Sequence, residues 1–252
     1  MNNKPKRLHP PHTPNYHDKI AERNPNRAFR YIASNVASGF AQLFFGKLVI
    51  CDIPTATTDY DGPAIFVGVH RSKRDIPDHI KMINKAGFNS ARPMAKEEWF
   101  VNRLKAAALH RLGAMAIANK SQGGSRGPVR ASKTMMEKLQ NPFIYEEKSR
   151  IKENTRRIAK IVGASILIAA ETGYPIIVVA TAGSSVDDKK RPLGFNVPVV
   201  GVMSEPMYFN PVEGQSANGV RKENVGMLYD VMQSKLDEAY IARDTLMGLA
   251  PR

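Results

Sequence analysis

Cysteine is almost absent. Cys51 is the single one in 252 residues, which excludes an intramolecular disulfide and any cysteine-rich metal site and fits a reducing compartment. Within the run LVICDI it is expected to be a buried apolar filler. Acidic residues are few beside basic ones, 23 Asp and Glu against 37 Lys and Arg, a formal charge of +14. Anionic company follows: phosphorylated metabolites, acidic lipid surfaces or nucleic acid. Aromatics, at 8%, are modest, and no recognised RNA or DNA motif accompanies the charge. A basic nucleic-acid-binding protein is therefore the weaker alternative, and no nucleic acid is expected. Ser72, Ser184 and Ser185 lack the G-x-S-x-G elbow, which counts against a serine hydrolase. Gly123, Gly124 and Gly127 beside Arg126 lack the G-x-x-x-x-G-K pattern and read as a flexible loop. His9, His12 and His17 sit among prolines without acidic or cysteine ligands, so no metal site is expected and a mechanism without cofactor is the default. No apolar stretch near the start resembles a secretory signal, which places the chain in the cytoplasm.

What is present is an ordinary globular core. Hydrophobic residues make up 42% of the chain, enough, at this length, for one large domain or two small ones. Residues 1–27, with Pro5, Pro10, Pro11, Pro14 and Pro25 among many charges, are expected to form a mobile basic arm, leaving residues 28–252 as a single α/β domain. From Ala28 to Gly46, Phe29, Ile32, Val36, Phe40, Leu43 and Phe44 recur at helical spacing and define an amphipathic helix. Its uncharged run, Tyr31 to Gly46, is shorter than the roughly 20 residues a membrane span needs, and Arg27, Arg30 and Lys47 flank it. Periodicity leaves two roles open, a helix lying on a membrane surface and a helix covering the core.

Beyond it, strands and helices alternate. Strands are expected at 64–69, 92–95, 113–118, 143–145, 176–181 and 197–203. Helices are expected at 78–85, 97–111, 129–139 and 220–247, with a long one at 153–171 that ends at Gly173 and Pro175. This alternation predicts a central, largely parallel sheet with helices on both faces.

The chemistry concentrates in Ala64 to His79. Ala64 to Val69 is a short buried strand behind Gly62 and Pro63, His70 stands where it ends, and Asp75 with Pro77 carries a helix-start signal. On a continuous helix His70 and Asp75 would point about 140° apart. Contact between them requires Arg71, Ser72, Lys73 and Arg74 to form a loop at the carboxyl end of the strand, where open α/β sheets put their sites. His79 and His110 read as helix-surface residues.

His70-Arg71-Ser72-Lys73-Arg74-Asp75 after an apolar strand resembles the H-x-x-x-x-D block of the glycerophospholipid acyltransferases, the family that includes lysophosphatidate acyltransferases. Further similarities follow in order from Pro63 to Pro206. Ala95-Lys96-Glu97-Glu98-Trp99-Phe100, then Leu112-Gly113 and Ile117, is similar to the second block, A-K-x-E-L-F. Tyr145-Glu146-Glu147-Lys148-Ser149-Arg150 stands for the third, F-P-E-G-T-R, and Tyr174-Pro175-Ile176-Ile177-Val178-Val179 for the fourth, V-P-I-V-P-V. The third block departs most: Glu146 and Lys148 replace proline and glycine, so a fixed φ and a flexible hinge are lost. The favoured register sets Glu147, Ser149 and Arg150 on the family's glutamate, threonine and arginine; Glu146 in the glutamate's place is the rival. In the second block Asn119 replaces an arginine, for which Lys120, Arg126 and Arg130 are substitutes.

The resemblance implies transfer of a fatty acyl group from a thioester, on coenzyme A or acyl carrier protein, to a hydroxyl of a glycerol phosphate or lysophospholipid, with the thioester as co-substrate and no cofactor. His70 would be the general base, its ordinary pKa near 6.5 suiting neutral pH. Asp75 would fix its tautomer and stabilise the imidazolium. Arg71, Lys73 and Arg74 would keep it unprotonated. Arg71, Ser72, Lys96, Glu147, Ser149 and Arg150 would bind substrate, Arg150 offering a phosphate its planar fork of donors. Peripheral contact with the cytoplasmic face of an anionic membrane follows from the amphipathic helix Ala28 to Gly46 and the net charge, together with lipid substrates. The damaged third block motivates an alternative, a lipid-binding relative that no longer catalyses.

Overall fold

Apolar runs bounded by turns pair here into one sheet. The computed structural model describes residues 20–22, 36, 48–71, 75–88, 91–111, 113–117, 126–147, 156–183 and 198–249. In chain order the elements are β1 (Leu48–Asp52), α1 (Thr55–Thr58), β2 (Ile65–Gly68), α2 (Asp75–Lys85), β3 (Ala91–Lys96), a 3-10 turn (Glu97–Phe100), α3 (Arg103–Arg111), β4 (Met115–Ile117), α4 (Arg126–Glu137), β5 (Asn141–Tyr145), α5 (Ala164–Thr172), β6 (Ile176–Ala182), β7 (Val199–Met203) and α6 (Ala217–Leu246). Among the described residues seven strands lie in the order β1-β7-β6-β2-β5-β3-β4. Every pairing is parallel except β6 with β7, so the central, largely parallel sheet expected from the alternation is what forms. β6 is buried along its whole length, as a strand covered on both faces must be.

Alternation along the strands divides the core. Ile65, Val67, Ile144, Ile176 and Val178 face one side, under α4, α5 and α6. Phe66, Phe143, Ile177 and Val179 face the other, under Met82 and Ile83 of α2. The period of two residues sorts them. At Gly68 a side chain would collide with the aromatic layer: a Cβ there would stand 2.6 Å from Tyr145 Cε1, 2.9 Å from His79 Nδ1 and 2.9 Å from Phe143 Cε2.

Four expectations are corrected. The helix predicted from 153 starts only at Ala164, because backbone groups ahead of it are taken by distant side chains. The Ile158 amide donates to Gln233 Oε1 at 3.0 Å, the Ala159 amide to Glu147 Oε1 at 3.0 Å, and the Arg156 carbonyl accepts from Gln233 Nε2 at 2.8 Å. Such partners satisfy the chain without helix. Cys51 is exposed rather than buried, since it alternates off the packed face of an edge strand. His79 is fully buried, not on a surface. Ile20 and Ala21, inside the stretch expected to be an arm, pack into the core. Their carbonyls accept from the buried Arg92, Ile20 from Nη2 at 2.7 Å and Ala21 from Nη1 at 3.3 Å.

The amphipathic segment 28–46 lies outside the described residues apart from Val36, which is exposed. None of the described helices is long and apolar enough to cross a membrane.

Candidate active site

β2 ends at Gly68, and two residues later His70 leaves the sheet between the carboxyl ends of β5 and β6. Its main chain is fixed there. The Val69 amide donates to the Val179 carbonyl at 3.0 Å, and the His70 amide donates to Glu147 Oε2 at 2.8 Å. Asp75 opens α2, and its side chain lies near that of His70. His70 Nδ1 stands 3.5 Å from Asp75 Oδ2, with the imidazole 19% exposed and the carboxylate wholly buried. At that spacing His70 Nδ1 makes no hydrogen bond to the carboxylate, though the pair is near enough for one to form with a small shift.

The Asp75 carboxylate is held from both sides. Oδ2 accepts from the Arg71 amide at 2.5 Å and Oδ1 from the Thr181 hydroxyl at 3.3 Å. Donors of this kind are what a buried carboxylate requires. Across the sheet face, the Tyr145 ring lies 4.3 Å from the His70 ring, tilted by 35°. His70 Nδ1 is thus turned inward, and Nε2 is the ring nitrogen left for a substrate.

The two glutamates of the altered third block do different work. Glu146 caps α5: its carboxylate accepts from the Gly163, Ala164 and Ser165 amides at 2.8, 3.0 and 2.5 Å. A negative group at the positive end of a helix satisfies donors that have no partner within it. Glu147 instead ties the His70 amide to the Ala159 amide. Burial pushes its carboxyl up to about 7, against the lowering effect of those two amides and of Arg71. Of the two registers considered, it is Glu147 that touches the His70 main chain.

The remaining sequence candidates are placed unevenly. Arg71 is buried and donates from Nη1 to the Arg157 carbonyl at 2.7 Å, so its guanidinium braces the loop beneath the site. Lys96 is exposed at the carboxyl end of β3, two strands from β2 and hence about 10 Å across the sheet at about 4.8 Å per strand. Arg130 is exposed on α4. Ser72, Lys73, Arg74, Ser149 and Arg150 lie outside the described residues. Among the described residues no group of three or more His, Cys, Asp or Glu is arranged to hold a metal.

Sequence reading missed the second layer. His79 lies on the α2 face of Asp75, Asp78, Met82 and Ile83, positions i, i+3, i+4, i+7 and i+8 that mark one buried stripe. Thr181 alternates with Ile177 and Val179 on β6. Both signals were available in the spacing.

No protein-family model and no curated protein matches the chain. Among solved structures it is similar to the 1-acyl-sn-glycerophosphate (LPA) acyltransferase PlsC from Thermotoga maritima, with a TM-score of 0.52 and 16% identity over 88% of each chain. The chain thus shares the α/β fold of that acyltransferase.

Proposed function

We propose that this protein is an O-acyltransferase that moves a fatty acyl group from a coenzyme A or acyl carrier protein thioester to a hydroxyl of a glycerol phosphate or lysophospholipid. The observation that carries the reading is the His70 imidazole set 3.5 Å from the buried Asp75 carboxylate at the carboxyl end of β2, in a fold shared with an LPA acyltransferase. His70 Nε2 takes the hydroxyl proton as the acceptor oxygen attacks the thioester carbonyl carbon. The tetrahedral intermediate collapses with cleavage of the C–S bond, and the imidazolium returns the proton to the departing thiolate. Asp75 stabilises the imidazolium between those steps. Arg150 is proposed to grip the acceptor phosphate.

Peripheral membrane contact belongs to the same reading. Beyond β3, at the sheet end where His70 stands, Trp99 is 42% exposed and Leu104 82%, with Val101 also exposed. Lys96, Lys105 and Arg111 are exposed on the same stretch of chain, beside the exposed Glu98. Exposed apolar side chains on a stretch with more cations than anions suit an anionic lipid surface.

The test is incubation of purified protein with labelled acyl-CoA or acyl-ACP and a panel of hydroxyl acceptors, beside His70→Ala. Acylated product from the wild type and none from a folded His70→Ala protein supports the mechanism; an active His70→Ala protein overturns it. Lipid binding without product for any pair favours the non-catalytic alternative. Co-sedimentation with anionic vesicles at low salt, lost in Trp99→Ser/Leu104→Ser, tests the surface.

A further inference from the structure

Behind Asp75 the buried polar groups form a line with one consistent set of protons. We propose that Thr181 and His79, with Tyr145, are positioning residues: a hydrogen-bonded relay that orients the Asp75 carboxylate toward His70. The inference rests on the acyl-transfer reading for its kinetic consequence, but its geometry stands independently.

The direction of each bond follows from counting donors. Asp75 Oδ1 can only accept while ionised, so the Thr181 hydroxyl spends its single proton there, at 3.3 Å. Thr181 Oγ1 must then accept from its other neighbour, His79 Nε2, at 3.1 Å. His79 therefore carries its proton on Nε2, and its Nδ1 accepts from the Tyr145 hydroxyl at 3.2 Å. One tautomer alone satisfies all three contacts. His79, Thr181 and Asp75 are each fully buried, and burial holds His79 neutral by lowering its pKa to about 4.

The surroundings hold the relay in register. Thr181 is on β6 and Tyr145 on β5, the strands on either side of β2, while His79 and Asp75 lie one turn apart on α2. The His79 ring packs 5.9 Å from Phe143 and 5.8 Å from Tyr145. Gly68, two residues before His70, leaves the room this layer occupies. A carboxylate steered by a hydroxyl that is itself steered by a fixed imidazole loses rotational freedom, and catalysis is sensitive to displacements of that order.

Two measurements test it. In wild-type protein with 15N-labelled histidine at pH 7, the His79 ring should show a neutral Nε2–H tautomer; an Nδ1–H tautomer or a charged ring overturns the assignment. In the acyl-transfer assay, Thr181→Val, which keeps the shape of the side chain and removes the hydroxyl, should lower kcat about tenfold to a hundredfold with KM for donor and acceptor unchanged within a factor of about two. Thr181→Ser, which restores the hydroxyl, should return kcat to within about threefold of wild type. Loss of kcat in Thr181→Val combined with Asp75→Asn should not exceed that of Asp75→Asn alone, since both break one unit. Full activity in folded Thr181→Val, or no rescue by serine, overturns the proposal. If Thr181→Val does not fold, Thr181→Ala against Thr181→Ser decides on the same criterion. A wild type without transferase activity defeats the acyl-transfer reading, and the relay is then judged by the His79 tautomer.

Discussion

The two ends of β6 bury polar groups in opposite styles. At its carboxyl end Thr181 belongs to a line that runs from Tyr145 through His79 and Asp75 and reaches a half-buried imidazole, His70. At its amino end the Val178 amide donates to Ser204 Oγ at 2.8 Å, that hydroxyl donates to the Glu205 carbonyl at 2.9 Å, and the Thr57 hydroxyl donates to the Ser204 carbonyl at 2.8 Å. This second network closes on the backbone and holds no titratable side chain. Beside it lies a cleft of about 620 Å³ lined by Asp52, Thr55, Ser204, Glu205, Val231 and Lys235. A cleft thus borders the closed network, and a titratable imidazole ends the other. A closed network stabilises the fold, whereas one that ends in an accessible base can move a proton.

The comparison breaks if the ends respond alike to substitution. The largest effect is expected at His70: His70→Ala should lower acyl transfer by about 10²–10⁴-fold, the usual worth of a general base, with circular dichroism and Tm close to wild type. Asp75→Asn should follow at about 10²-fold or more, because the wrong ring nitrogen is then favoured. A fully active Asp75→Asn protein would place the base elsewhere. At the other end Ser204→Ala should leave activity unchanged in steady-state assays but cost about 1–3 kcal/mol in denaturant unfolding, since the Val178 amide loses its buried acceptor.

A smaller effect sharpens the contrast by pH. Glu147 has its carboxyl raised to about 7 from 4.5, so the folded protein holds that proton more tightly than the unfolded chain. Its stabilising share is complete below pH 4.5 and is lost as pH rises to about 7. His79, lowered from 6.5 to about 4, acts in the opposite sense: its share is complete above pH 6.5 and is lost as pH falls toward 4. The two slopes oppose each other between pH 4.5 and 6.5. Replacing Glu147 by Gln removes one of them, so its Tm relative to wild type should climb from pH 4.5 to 7, whatever constant offset the substitution adds; a pH-independent difference would count against a raised carboxyl. Least of all is expected at the cleft, where Lys235 pairs with Glu238 at 2.7 Å. Lys235→Ala should change stability by less than about 1 kcal/mol and activity not at all.

Sequence alone determined the layered α/β class, most strands, and the pairing of His70 with Asp75. Those follow from local rules: short apolar runs of period two, amphipathic helices of period 3.6, and an Asp-x-Pro helix start placed shortly after the histidine. Only tertiary structure decided what cannot be seen along the chain. The antiparallel pairing of β6 with β7 depends on which neighbour a strand meets. Of the helix expected at 153–171, residues 156–163 are drawn instead to partners far away in sequence, Gln233 and Glu147. The separate tasks of Glu146 and Glu147, adjacent and chemically identical, were set by the elements that happened to face each of them, a helix terminus and the His70 amide. His79 and Thr181 stand 102 residues apart, and only the packing of α2 on β6 makes them neighbours of one carboxylate. Periodicity reports which face a residue takes; hydrogen bonds form between faces, and the fold alone brings two faces together.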